Sequence, residues 1–179
     1  MPRHIALLRG INVGGHNTVP MADLRHLLLD LGHTSVVSHL QSGNVVYSSR
    51  GEPPSEAVEI EEQLQQRLGL AIRVLIRTQD ELAQIIDQNP FTDIVTDPSR
   101  FLVSFLFAPP NSGAIEEIQG TFFEAEAFSA RERELYLWCP DGVRESRLLK
   151  AVSEKRLGVA ATNRNWNTVT RLLALADSC

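Results

Sequence analysis

The chain has 179 residues, a formal charge of −5, 43% hydrophobic and 22% charged residues, and only 2 Cys. One domain or two small ones fit that length, and a core of this size needs no metal or disulfide to support it. The apolar content excludes disorder, the brevity of every apolar run excludes a membrane-spanning helix, and the cysteine count excludes a disulfide scaffold.

Residues 1–5 run straight into an apolar strand with no small-residue cleavage site, so no secretory leader is expected. Together with the two cysteines this points to a reducing cytoplasm. The basic residues are 15 Arg and 2 Lys (Lys150 and Lys155). A coding bias explains most of that excess. The acidic total, with no basic run, argues against a nucleic-acid partner.

The first half alternates strands and helices. Residues 4–8 read as a strand, and Pro20 suits the first turn of a helix. Leu24, Leu27, Leu28 and Leu31 form one stripe on that helix, which Gly32 closes. Residues 35–41 alternate as a strand, Ser42-Gly43 is hairpin chemistry, and residues 44–48 return. Ser55 is expected to cap a second helix with Ala57, Ile60, Leu64 and Leu68 inward and Gly69 as its stop. Residues 71–77 give the fourth strand. Thr78 and Glu81 form a capping box for a connecting helix that carries Leu82, Ile85 and Ile86.

The second half repeats the order less neatly. Phe101, Val103, Phe105 and Phe107 mark a strand face, and Ala114, Ile115 and Ile118 a short helix. Residues 121–128 and 134–139 read as a hairpin, 144–157 as one helix, 159–162 as a short strand, and Val169, Leu172, Leu173 and Ala176 as the stripe of a last helix. The predicted fold is therefore α+β: two ferredoxin-like (β-α-β-β-α-β) subdomains with antiparallel sheets, residues 1–78 and 99–179, joined by a connecting helix and linker over 79–98.

Three polar segments are candidates for chemistry. Arg9-Gly10-Ile11-Asn12-Val13-Gly14-Gly15-His16-Asn17 lies between a strand and a helix, where backbone N–H groups and the helix N-terminus favour an anion. It matches neither a Walker loop nor Gly-x-Gly-x-x-Gly. Gln41-Ser42-Gly43-Asn44 presents two amides around a turn. Thr162-Asn163-Arg164-Asn165-Trp166-Asn167-Thr168 opens the last helix with a guanidinium fork and a stacking plane. Each also has a structural explanation in turns and caps, although three amides exceed what capping the last helix requires.

Other chemistry is sparse. The five His (positions 4, 16, 26, 33 and 39) show no metal-binding pair on a helix, so no zinc site is expected. His26 and His33 are expected to be solvated. Glu124 and Glu126 are expected to share a solvated strand face, and neither Cys139 nor Cys179 has a base nearby in sequence.

Taken together, Ala6-Leu7-Leu8-Arg9-Gly10-Ile11-Asn12-Val13-Gly14-Gly15, Val19-Pro20-Met21-Ala22-Asp23-Leu24, Leu40-Gln41-Ser42-Gly43-Asn44-Val45-Val46 and Thr162-Asn163-Arg164-Asn165-Trp166-Asn167-Thr168-Val169 resemble the bacterial domain of unknown function 1697 family. The similarity runs over essentially the whole chain. One mild departure is Ser38-His39, where an aromatic is more usual before Leu40. The resemblance implies a compact α+β protein of two ferredoxin-like parts, and it implies no reaction, substrate or cofactor.

The residues themselves lead to a binding protein for a small anionic or phosphorylated ligand. Arg9, Asn12, Gly14, Gly15, Asn17, Gln41 and Asn44 are expected to line the site, completed by Arg164, Asn165, Trp166 and Asn167. The rivals are an enzyme acting on such a ligand, with His16 or His39 as acid or base, and a purely structural or oligomerising protein. No cofactor, metal or membrane is expected.

Overall fold

Strand β1 (Arg3–Leu8) is buried along its whole length, the mark of a central strand covered on both faces. The computed structural model describes residues 1–178. β1 lies between β3 (Asn44–Ser48) and β4 (Val74–Thr78), and β2 (Thr34–His39) forms the far edge beside β3. All three pairings are antiparallel, and the β2–β3 register shifts between Thr34 and Val37.

Helices α1 (Met21–Asp30) and α2 (Pro53–Leu68) cover one face. Leu24, Leu27 and Leu28 of α1 and Ile60 and Leu64 of α2 pack on Ala6, Leu8, Val45, Tyr47, Val74 and Ile76. α2 starts three residues earlier than expected: Glu52 and not Ser55 is its cap, because Pro53 and Pro54 occupy the first turn, where a missing N–H costs nothing. Gly69 ends it in the left-handed conformation, as expected. α3 (Gln79–Asp87) begins at the predicted capping box, with the Glu81 amide donating to Thr78 Oγ1 at 3.2 Å and the Thr78 amide donating to Glu81 Oε2 at 2.7 Å.

The second sheet has the order β6 (Ala127–Ala130), β7 (Glu134–Trp138), β5 (Phe101–Leu106), β8 (Ala161–Asn165), again all antiparallel. Residues of α4 (Ser112–Gln119), α5 (Arg147–Ala151) and α6 (Glu154–Leu157) contribute Ile118, Leu148 and Leu157 to a core with Leu106, Leu135, Leu137 and Cys139. A single helix over 144–157 is not formed. Ser146 and Ser153 each accept a bond from the amide three residues on, so Ser153 starts a new helix instead of continuing the old one. The strand expected over 121–128 is likewise shorter, since Glu124 takes φ 58°, which no strand tolerates.

The chain divides into two units: Met1–Gln84 with the residues from Arg171 onward, and Ile85–Thr170. α3 and α7 (Trp166–Ser178) each begin in one unit and end in the other. Among the described residues no helix is long and apolar enough to cross a membrane.

Candidate functional site

The 9–17 loop is braced by its own asparagines. Asn12, at φ 54°, donates from Nδ2 to the Val19 carbonyl at 3.0 Å and to the Gln41 carbonyl at 2.6 Å, and its Oδ1 accepts the Val19 amide at 2.8 Å. Asn17, at φ 49°, donates from Nδ2 to the Gly10 carbonyl at 3.1 Å. Asparagine tolerates the left-handed region because its short amide bonds local backbone.

The tip of the loop is tied by the His16 amide donating to the Val13 carbonyl at 3.0 Å. Gly14 and Gly15, at φ 58° and 77°, are exposed there, and their N–H groups make no internal hydrogen bond among the described residues. Arg9 is half-buried at the base, with its amide donating to the Arg73 carbonyl at 3.0 Å. α1 then starts behind Pro20 with no side-chain cap, leaving its first N–H groups open.

The 41–44 turn lies against this loop. Gly43, at φ +84°, is so close that an added Cβ would stand 2.8 Å from both Ile11 Cδ1 and Leu8 Cβ. Asn44 is buried, and its Nδ2 donates to the His39 carbonyl at 2.9 Å and to Ser42 Oγ at 3.0 Å. Gln41 is exposed. Arg9, Asn12, Gly14, Gly15, Asn17, Gln41 and Asn44 therefore all lie at one end of the first sheet, within one unit.

Arg164, Asn165, Trp166 and Asn167 belong to the other unit. Arg164 is buried opposite Val103, and its Nη1 donates to Thr162 Oγ1 at 2.7 Å and to the Asn163 carbonyl at 2.9 Å. Burial pulls its guanidinium down to about 10. Asn165 Oδ1 accepts the Thr168 amide at 3.0 Å, which makes it the cap of α7. The Trp166 ring packs on Phe101 with centroids 4.9 Å apart, and Asn167 is exposed.

Of the two histidines considered as acid or base, His16 is exposed on the loop and His39 is half-buried near the end of β2. Burial, and then the Arg171 charge, lower the His39 pKa. Glu126 does not share a strand face with Glu124. Its Oε1 accepts the Arg147 and Leu148 amides at 3.0 and 3.2 Å, at the start of α5. Cys139 is buried, and burial pushes its thiol up to about 11, so it is a poor nucleophile. Cys179 lies outside the described residues. No group of three or more His, Cys, Asp or Glu among the described residues could hold a metal ion.

Sequence reasoning missed a second cluster, inside the first unit. Glu56 Oε2 accepts from Tyr47 Oη at 2.8 Å and faces His4 Nδ1 at 2.8 Å, while Oε1 accepts the Ser49 hydroxyl. Burial alone pushes the Glu56 carboxyl up, but the bonds from Ser49, His4 and Tyr47 outweigh it and hold the group below the usual carboxylate range. Burial and Glu56 push the Tyr47 phenol well up.

His33, expected in solvent, is 7% exposed, and its ring lies 4.7 Å from that of Tyr47. The signal was a matter of phase: Glu56 precedes Ile60 and Leu64 at four-residue steps, and His4 alternates inward with Ala6 and Leu8. A groove of about 360 Å³ beside α2 is lined by Glu61, Glu62, Gln65, Ile72 and Arg73, among others, and includes none of the predicted site residues.

Two antiparallel four-stranded sheets with helices define an α+β protein. Residues 1–136 match the family described as "Protein of unknown function (DUF1697)", and the chain belongs to that family. No curated protein matches. A solved structure, that of the conserved bacterial protein SP0830 from Streptococcus pneumoniae, is similar with a TM-score of 0.75 and 22% identity over 98% of each chain. At that identity the likeness is one of fold.

Proposed function

We propose that the first unit binds a small anionic or phosphorylated ligand between the 9–17 loop and the 41–44 turn. The observation that carries this reading is the division of labour in the loop. Asn12 and Asn17 fix the backbone, while the N–H groups of Gly14 and Gly15 are left unbonded at an exposed tip. Successive N–H groups in such turns form anion-binding concavities, and a fixed loop lowers the entropy cost of binding. Arg9 and Gln41 supply side-chain donors, with Asn44 holding the turn from below. In the second unit Arg164 and Asn165 already hold the strand end and the helix start, so Trp166 and Asn167 are the positions there for a ligand to engage.

We further infer that each unit is ferredoxin-like and that the pair arose by duplication, with residues 1–78 and 99–179 as the two copies and 79–98 as the bridge. The strand orders β2-β3-β1-β4 and β6-β7-β5-β8 support this. A cytoplasmic setting suits the unpaired buried thiol of Cys139.

A thermal-shift panel of inorganic phosphate, nucleotides and sugar phosphates tests the binding. A ligand at 100 times its Kd stabilises by about 2.7 kcal/mol, or about 5–11 °C for a chain of this size. The shift should vanish in Arg9→Ala and shrink in Gln41→Ala. Flat curves across the panel refute binding, and a shift unchanged in both variants refutes the site. A second reading, in which the polar segments are structural only, is favoured by the backbone-directed amides of Asn12, Asn17, Asn44 and Asn165. Flat curves would support it.

A further inference from the structure

We propose that His33 is an acid-triggered latch: uptake of a proton by its buried ring releases the corner between α1 and β2 from Tyr47 and opens that corner to solvent. This does not depend on the ligand reading above.

The ring is 7% exposed, and its Nε2 is buried with no hydrogen-bond partner. A neutral imidazole tolerates such a site, because one nitrogen needs no donor hydrogen. A cation carries N–H on both nitrogens and would leave a charged donor buried and unpaired. The ring lies 4.7 Å from the Tyr47 ring at an interplanar angle of 52°.

The charged and titratable groups facing His33 come from three elements. α2 supplies Glu56 and Glu59, β1 supplies His4, and β3 supplies the Tyr47 phenol. The two carboxylates favour a proton on His33, whereas burial and His4 oppose it, with burial the largest effect and the net shift downward. Glu56 is also already engaged by Ser49, His4 and Tyr47. With those bonds in place it is a poor hydrogen-bond partner for a protonated His33.

The corner itself is lightly held. Gly32 and Ser35 flank it at φ 88° and 50°, the Thr34–Val37 stretch carries the register shift, and Thr34 and Ser35 are exposed. The His33 amide donates to the Leu28 carbonyl at 3.1 Å, so its exchange with solvent reports directly on opening.

The sign of the pH effect follows from linkage. A histidine whose folded pKa is depressed holds the corner closed above its unfolded pKa of 6.5 and releases it as pH falls through the folded value. The test uses the full chain, with amide exchange protection at His33, Val37 and Ser38 measured from pH 7.5 to 5.0. An NMR titration of the His33 ring accompanies it.

Below pH 6.5 the protection factors at the corner should fall by up to about tenfold per pH unit, while those of β7 hold. In His33→Phe, which keeps an aromatic ring against Tyr47 and takes no proton, the corner should stay protected. A His33 ring that titrates at 6.5 or above in the folded chain overturns the proposal, as does a corner in His33→Phe that opens as steeply as in the wild type. If His33→Phe does not fold, the wild-type ring titration decides alone.

Discussion

Asn12 and Gln41 are joined by a 2.6 Å hydrogen bond from the Asn12 side-chain amide to the Gln41 carbonyl, which ties the glycine-rich loop to the β-turn beside it. Asn12 also makes two bonds to Val19, so one side chain closes the loop and fixes it to its neighbour. Asn12→Ala should cost about 2–3 kcal/mol, from lost hydrogen bonds plus the strain of alanine at a positive φ. Asn12→Gly removes the strain but not the lost bonds, and its melting temperature should fall between those of the wild type and Asn12→Ala. Equal melting temperatures for both variants and the wild type would show that the brace contributes nothing.

Gly43 has the tightest fit in this region. A methyl group there meets Leu8 and Ile11 at 2.8 Å and must also adopt φ +84°. Gly43→Ala should therefore lose about 2–4 kcal/mol, seen as a fall of at least about 4 °C in melting temperature. Gly15→Ala, with a similar φ but open space around it, should lose only the strain. The difference between the two isolates packing from backbone conformation.

These positions also show what could be read from the chain alone. Local signals were legible: the Thr78–Glu81 box, the Gly69 stop and the leucine stripe of α1 each depend on residues within a turn or two. The 144–157 segment failed where a serine competed with a continuing apolar pattern. The spacing of Leu148 and Val152, with Gly158 as the apparent stop, hid the break that Ser153 imposes by capping. The first unit's candidate residues were recognisable as a cluster because a strand end, a loop and a hairpin turn are close in sequence. The Glu56 cluster was not, since its members come from β1, β3, α2 and the α1–β2 corner. Only the sheet register brings His4 beside Tyr47. An acid in phase with Ile60 and Leu64, and a histidine alternating with Ala6 and Leu8, were its visible traces.

Cys139 should be inert in the native protein. It is 1% exposed, its thiol is raised to about 11, and its Sγ lies 3.4 Å from Ser146 Oγ. Thiolate is the reactive form, so alkylation near pH 7.5 should wait for unfolding. Iodoacetamide labelling mapped by mass spectrometry should find Cys139 unmodified in buffer and fully modified in denaturant. Rapid labelling of Cys139 in buffer would mean that the α5 start opens readily.

Glu56 is the residue on which the first unit's interior should depend most. Removing its carboxylate in Glu56→Ala strands the Tyr47 and Ser49 hydroxyls and His4 Nδ1 without their acceptor. Each buried polar group left unpaired costs about 1–3 kcal/mol, so a loss of about 3 kcal/mol or more is expected at pH 7. Glu56→Gln keeps the shape but turns one acceptor into a donor, and should lose less. The acid limb separates charge from shape. The folded pKa of Glu56 lies below its ordinary 4.5, so its contribution is complete above about pH 4.5 and is lost as pH falls through the folded value. Urea midpoints for the wild type and Glu56→Gln should therefore differ at pH 7 and converge toward pH 3. A gap that stays constant with pH would show that Glu56 contributes shape and no charge.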